Sequence, residues 1–420
     1  MPEITNFADK IEKQLPAELV SFIKQAGKLA NSKGERVYLV GGIVRDLLLG
    51  ESNFDIDLAV EGDAVALARK LAGDKPVKIT IHHRFNTAKL QWHEWSVDLT
   101  SIRSESYTRP GALPTVKPGK LSDDLLRRDF TINAMAIELN SEGYGRLIDL
   151  YSGQNDLRQG LIRILHPKSF IDDSTRIWRC LRYEQRLDFQ IEPETLKLLK
   201  RDIPMLETIS GDRIRYELEC MFGEQYPEKV LQRAEELGAL SKLSPSLRGN
   251  GWLEGKFKQA RQMSLPNQPP PGLYMALLTY NLTDKEREQF ISYLRLPKTL
   301  AQTLRGTGSI KAKLQQLADI KLSPSYIYHL LRGYSPQAII ASLIASDSPV
   351  VQKHIQLFLD KLRYIKPILT GNDLIKMGIP SGPRIKEILN LLLDAKLDGK
   401  VKTRQDEERM VRELMTEEGR

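Results

Sequence analysis

The chain has 420 residues, a hydrophobic fraction of 41% and a formal net charge of +8, enough for about two to four compact units with buried cores. No stretch approaches the roughly 18 to 20 uninterrupted apolar residues of a membrane span, and the opening MPEITNFADK lacks the basic-then-apolar order of a secretory signal, so a cytoplasmic protein is expected. Cys180 and Cys220 are the only cysteines, with no CxxC and no Cys/His cluster, which excludes a disulfide framework and a structural zinc site and leaves any metal to oxygen ligands. The positive charge favours an anionic partner, nucleic acid foremost, though small anions also satisfy it.

Residues 1–34 show helical spacing of apolar positions (Ile11, Leu15, Leu19, Ile23, Leu29) with lysines between, which predicts one or two amphipathic helices as a lead-in. From 35 to 142 the pattern changes to short β-branched runs: VYLV, IDLAV, VKITI, AKLQW, SVDLT and AMAIEL, with helical segments near 43–49 and 63–72. A mixed sheet is expected there. After Gly143 strand signals fade, and helices are expected at 172–187, 193–201, 212–222, 227–236, 285–293, 325–333, 351–363, 383–395 and 404–416. The prolines of LPNQPPPG (265–272) mark a break.

Gly41 and Gly42 fall on the turn between the first strand and the helix after it. Glycine there lets a phosphate approach the backbone, the helix N-terminus suits an anion, and Arg45 could reach the same anion. The plain alternative is an ordinary turn with Arg45 paired to Asp46. Asp55 and Asp57 lie two apart on a strand, so both carboxylates share one face and repel unless a cation sits between them. Hard oxygen ligands point to magnesium, shared with a substrate phosphate. Asp98, on a later strand, could join them. Together these are complementary parts of phosphoryl or nucleotidyl transfer.

In RRDFTINA, Arg128 could face a nucleotide while Asp129 anchors the turn. In DDSTRIWRCLR, helical spacing puts Asp172 or Asp173 with Arg176, Arg179 and Arg182 along one side. An acceptor beside a planar donor can satisfy the Watson–Crick edge of a base, and further arginines can neutralise a triphosphate; a salt-bridged solvent face is the bland alternative. The turn-rich stretch SESYTRPGALPTVKPGKLSDD (104–124) predicts a long mobile loop. His82 and His83 lack the third ligand of a metal site, and Trp92 and Trp95 are expected to pack.

Four ordered segments carry a resemblance: LVGGIVRDLLLG with FDIDLAVEGD, RRDFTINAMAI, GRLIDLYSGQNDLRQGLIRILH and FIDDSTRIWRCLRYEQRLDF. They resemble the class II tRNA nucleotidyltransferases and bacterial poly(A) polymerases of the polymerase-β-type superfamily, strongly over 36–220 and more weakly at 371–389. The resemblance implies an α+β protein with a nucleotidyltransferase head (35–142), a helical neck with the nucleotide-selecting motif (143–222), a helical body (223–325) and an RNA-binding helical tail (326–420). It implies that Arg128 contacts the nucleotide and that Asp173 and Arg176 select the base. Where the family writes Glu-Asp-x-x-Arg, Asp172 replaces the glutamate. The loop at 104–124 matches the family's segment that helps switch from C to A.

The implied reaction is attack of an RNA 3′-hydroxyl on the α-phosphate of ATP or CTP, with magnesium on Asp55 and Asp57 and no protein nucleophile. Within the family, YEQRLDFQIEPET and KLDGKVKTRQDE most resemble members that add only the terminal A; full CCA addition stays open. A poly(A) polymerase and, in another class, an RNA-binding protein with a silent transferase domain are the remaining alternatives.

Overall fold

The computed structural model describes residues 6–52, 54–73, 77–93 and 95–418. Its internal contacts separate it into Met1–Lys242 and Leu243–Arg420. The boundary expected after 222 falls inside the first unit, and the one after 325 inside the second. Residues 1–5 of the expected lead-in and 419–420 of the tail lie outside the described residues.

The first unit begins with α1 (Ala8–Gln14) and α2 (Ala17–Asn31), followed by β1 (Arg36–Val40), α3 (Gly42–Leu49), β2 (Asp55–Glu61), α4 (Ala64–Ala72), β3 (Lys78–His82), β4 (Thr87–Trp92) and β5 (Trp95–Ser101). Next come β6 (Arg103–Ser106), β7 (Thr115–Pro118), α5 (Leu121–Leu126), β8 (Met135–Glu138), β9 (Leu147–Asp149), α6 (Gly153–Gln159) and β10 (Leu161–Ile162). It closes with α7 (Ser169–Asp172), α8 (Thr175–Leu187), β11 (Gln190–Ile191), α9 (Pro193–Asp202), α10 (Gly211–Phe222) and α11 (Pro227–Glu236).

Seven strands form one mixed sheet in the order β3-β4-β5-β2-β1-β8-β9. Only β2 and β5 pair in parallel within it, with Asp57 opposite Asp98. Period-two alternation divides the two faces. Val37, Leu39, Ile56, Leu58, Val60, Val97 and Leu99 bury against Ile11, Leu19, Ile23 and Leu67 from the helices on one side. The opposite face carries Asp55, Asp57 and Asp98, beside a smaller core of Tyr38, Val40, Ala59, Leu121 and Leu125. The first two helices, expected as a lead-in, thus pack Ile11, Leu19, Val20, Phe22, Ile23, Ala26 and Ala30 into the head's core. Asp63 caps α4 by accepting from the backbone of Val65 and Ala66.

The stretch expected as a mobile loop is instead a hairpin followed by a helix. β6 pairs antiparallel with β7, Arg103 opposite Pro118 and Ser106 opposite Thr115, and α5 follows at once. Turn formers dominated the composition, but four-residue strands acquire their order from pairing, not from local propensity. Trp92 and Trp95 pack as expected: Trp92 stacks on Phe22 with centroids 4.7 Å apart, and both indoles donate to Glu18.

The second unit is helical: α12 (Gly251–Ser264), α13 (Pro271–Leu278), α14 (Asp284–Tyr293), α15 (Lys298–Ala312), α16 (Leu314–Leu317), α17 (Pro324–Leu331), α18 (Pro336–Ala345), α19 (Pro349–Asp360), α20 (Gly371–Lys376), α21 (Pro383–Leu397) and α22 (Arg404–Glu418). The proline stretch separates α12 from α13, as expected. One core gathers Ile310, Leu331, Ile339, Ile355 and Phe358, another Leu369, Leu374, Ile388, Leu392 and Val411. No helix among the described residues is long and apolar enough to cross a membrane.

Candidate active site

The first unit contains a cavity of about 470 Å³ lined by Gly41, Gly42, Arg45, Asp55, Asp57, Arg128, Asp173, Arg176, Arg179 and Arg182. These are all but one of the site residues expected from the sequence. The exception is Asp98, which stands beside Asp57 in the sheet but whose carboxylate meets Lys89 at 3.1 Å and does not line the cavity.

Gly41 links β1 to α3 with φ +83° and ψ −146°, a region that essentially only glycine occupies. A Cβ there would lie 3.0 Å from Asp57 Oδ2 and 3.2 Å from Arg128 Nη1. The turn is therefore bare where the carboxylate and guanidinium come together. Burial pushes the Asp57 carboxyl up; Arg128 opposes this, Asp55 and Asp98 reinforce it, and the result is about 6. A strand face that crowds carboxylates beyond what Arg128 balances is a donor set for a hard divalent cation. Among the described residues no three His, Cys, Asp or Glu side chains close a metal cage by themselves, and His82 and His83 are both exposed.

Arg45 is 2% exposed. Its Nε donates to Asp46 Oδ1 at 2.7 Å, its Nη1 to Asn133 Oδ1 at 2.8 Å, and its guanidinium lies 5.2 Å from the Tyr183 ring centroid. It lines the cavity as a clamped group, with the Asp46 pairing that the plain alternative foresaw. Arg128 reaches Asp124 at 3.1 Å, and Arg127 reaches the same carboxylate at 2.7 Å. Burial alone would raise Asp124; Arg128 and Arg127 overcome it and hold the carboxyl below its ordinary value.

The α8 side of the cavity carries the arginine row. Asp173 precedes the helix, and its Oδ1 accepts from Thr175 N at 3.0 Å, Thr175 Oγ1 at 2.7 Å and Arg213 Nη2 at 2.7 Å. Arg176, 4% exposed, donates to Ser169 Oγ and to the Arg127 carbonyl, each at 2.6 Å. Arg179 meets Asp129 at 2.9 Å; burial works against its charge, but Asp129 more than restores it. Arg182 donates to Glu224 at 3.2 Å. Asp172 points elsewhere, 4.0 Å from His166, so of the two acidic positions Asp173 lines the cavity.

Several working residues escaped sequence reasoning. Asp124 organises Arg127 and Arg128, Arg213 on α10 holds Asp173, and Asn133 links Arg45 to Asp129, whose Oδ1 it reaches at 3.0 Å. The four-residue spacing of Asp129 and Asn133 inside RRDFTINA was the available signal; Arg213 is 40 residues from its partner and left none.

Residues 37–163 match the model described as the poly A polymerase head domain, and residues 188–249 that of the probable RNA and SrmB- binding site of polymerase A. An A-adding tRNA nucleotidyltransferase of Halalkalibacterium halodurans is 32% identical over 97% of this chain and 96% of its own. Another, of Geobacter sulfurreducens, is 34% identical over 95% of this chain, which spans about half (47%) of that longer relative. The solved Thermotoga maritima CCA-adding enzyme complexed with tRNA-CCA superposes with a TM-score of 0.76 at 30% identity, covering 98% of each chain. Aligned over nearly its whole length with such relatives, the chain belongs to the tRNA nucleotidyltransferase family.

Proposed function

We propose that the chain completes the CCA end of tRNA by transferring a nucleotide, AMP foremost, to the RNA 3′-hydroxyl. The observation that supports this best is the pairing, within one cavity, of the Asp55–Asp57 face and bare Gly41 turn with the row Asp173, Arg176, Arg179 and Arg182. The two aspartates would hold magnesium, which when bound supplies Lewis-acid stabilisation to the attacking oxygen and the phosphate. Arg128 and the Gly41–Gly42 turn receive phosphate oxygens. Asp173, with Oδ1 fixed by Arg213 and Thr175, keeps Oδ2 to accept from a base amino group, and Arg176 supplies the neighbouring donor. As the 3′-hydroxyl releases its proton to solvent and its oxygen bonds to the α-phosphorus, the bond to the β-phosphate oxygen breaks, and Arg179 and Arg182 neutralise charge on the departing pyrophosphate. The second unit is assigned to holding tRNA, and the cytoplasm follows as the place where that substrate is met.

Terminal-A addition is favoured because relatives aligned over 95% and 97% of this chain carry that name. Full CCA addition is the second reading, favoured by the Thermotoga structure's name. Three tRNA transcripts, ending before CCA, after C and after CC, incubated with magnesium and ATP, CTP or both, decide the matter at single-nucleotide resolution. One A added only to the CC-ended transcript is expected. Completion of all three establishes the second reading, and no incorporation, or long A tracts, overturns both.

A further inference from the structure

Part of the cavity's lining takes no part in the reaction as described. There α8 places Arg186, and α10 places Tyr216 and Cys220. Tyr216 is 64% exposed, while the same helix buries Ile214, Leu218 and Met221, so its ring contributes little to the core. Three tyrosines line the cavity among the described residues. Tyr183 is covered by the guanidinium groups of Arg45 and Arg182, at 5.2 and 5.1 Å from its centroid. Tyr107 is tied through its hydroxyl to Glu105 at 2.8 Å. Tyr216, whose hydroxyl neighbours Cys220, is the exposed ring of the three. Arg186 is 45% exposed and lies a loose 3.9 Å from Glu224.

An exposed aromatic ring and a solvent-facing guanidinium lining one cavity have the chemistry of a single-stranded nucleotide subsite: the base stacks and the backbone phosphate meets the cation. The incoming nucleotide already has its base reader in Asp173 and Arg176. We infer that Tyr216 and Arg186 hold the terminal base and phosphate of the acceptor RNA's 3′ end, and so position the hydroxyl that attacks. This rests on the transfer reading above. Because stacking is sequence-tolerant, the subsite accepts any terminal base and contributes position, not choice.

The test compares wild type, Y216A and Y216F, all as the full chain, with a CC-ended tRNA transcript, ATP and magnesium. Y216A is expected to raise the KM for tRNA about fivefold to a hundredfold, to leave the KM for ATP unchanged, and to be rescued by Y216F. A fluorescein-labelled RNA pentamer ending in CC provides a second readout by anisotropy, with weaker binding to Y216A than to wild type or Y216F. An unchanged tRNA KM, a rise confined to ATP, or failure of Y216F to rescue overturns the assignment. If wild type itself transfers nothing, the transfer reading fails, and the anisotropy comparison still decides whether Tyr216 binds an RNA end.

Discussion

Replacing Asp57 by Asn should make the protein more stable and inactive at once. The carboxyl is pushed from 3.8 to about 6, first by burial and then by Asp55 and Asp98, against the pull of Arg128. A shift of about 2 units corresponds to about 3 kcal/mol. Above pH 6 the group is ionised in both states, and the folded state carries that cost in full. As pH falls through 6 the folded protein takes up a proton the unfolded chain does not yet bind, and the cost fades, vanishing below about 3.8. Asp57→Asn, neutral throughout, should therefore exceed wild type by up to about 3 kcal/mol at pH 8 in metal-free buffer. For a unit of this size that is about 6–12 °C in Tm. Calorimetric melts of both proteins at pH 8, 6 and 4.5 with chelator, alongside a transfer assay, read the effect. Magnesium added at pH 8 should narrow the gap by stabilising wild type alone. A gain that is absent at pH 8, or equal at pH 8 and 4.5, would show that crowded charge is not its source, and preserved transfer would remove Asp57 from the chemistry.

Two further perturbations follow from geometry. Gly41→Ala forces a Cβ to within 3.0 Å of Asp57 Oδ2 and 3.2 Å of Arg128 Nη1 at a strained backbone angle; a loss of about 1–3 kcal/mol in stability and a fall in kcat beyond tenfold are expected, measured by melting and single-turnover transfer. In the second unit Glu407, 0% exposed, accepts from the backbone of Ile368 and Leu369 and meets Lys396 at 3.1 Å. Glu407→Ala should lower that unit's stability by about 3–5 kcal/mol, seen as an earlier calorimetric transition, with the Gly41 and Asp57 chemistry untouched in short-RNA transfer.

The head's main strands were legible because alternation is a local signal: Ile56, Leu58 and Val60 bury on one side while Asp55 and Asp57 face the other. The same logic failed for α13 and α18. In PGLYMALL every residue from Gly272 to Leu278 is buried, so no polar stripe exists to reveal a period. α15 was likewise absent from the expected helices; Gly306 and Gly308 of its LRGTGSI stretch are buried within it. At the site, residue types and spacing singled out side chains that line one cavity, but not which partners hold them. The pairs Arg45–Asn133 and Asp173–Arg213 bridge 88 and 40 residues of chain, distances over which spacing carries no message.

Arg45 donates to Asn133, Asn133 reaches Asp129, and Asp129 meets Arg179, one turn along α8 from Arg176. This polar chain runs from the helix behind the Gly41 turn to the helix proposed to read the base. An enzyme that chooses its nucleotide with side chains has no complementary strand to set the register between the base and the reacting phosphorus. On the proposed reading the brace would set that register, so accuracy would become a matter of stiffness: a brace that yields by an ångström would let the wrong base pass as the right one.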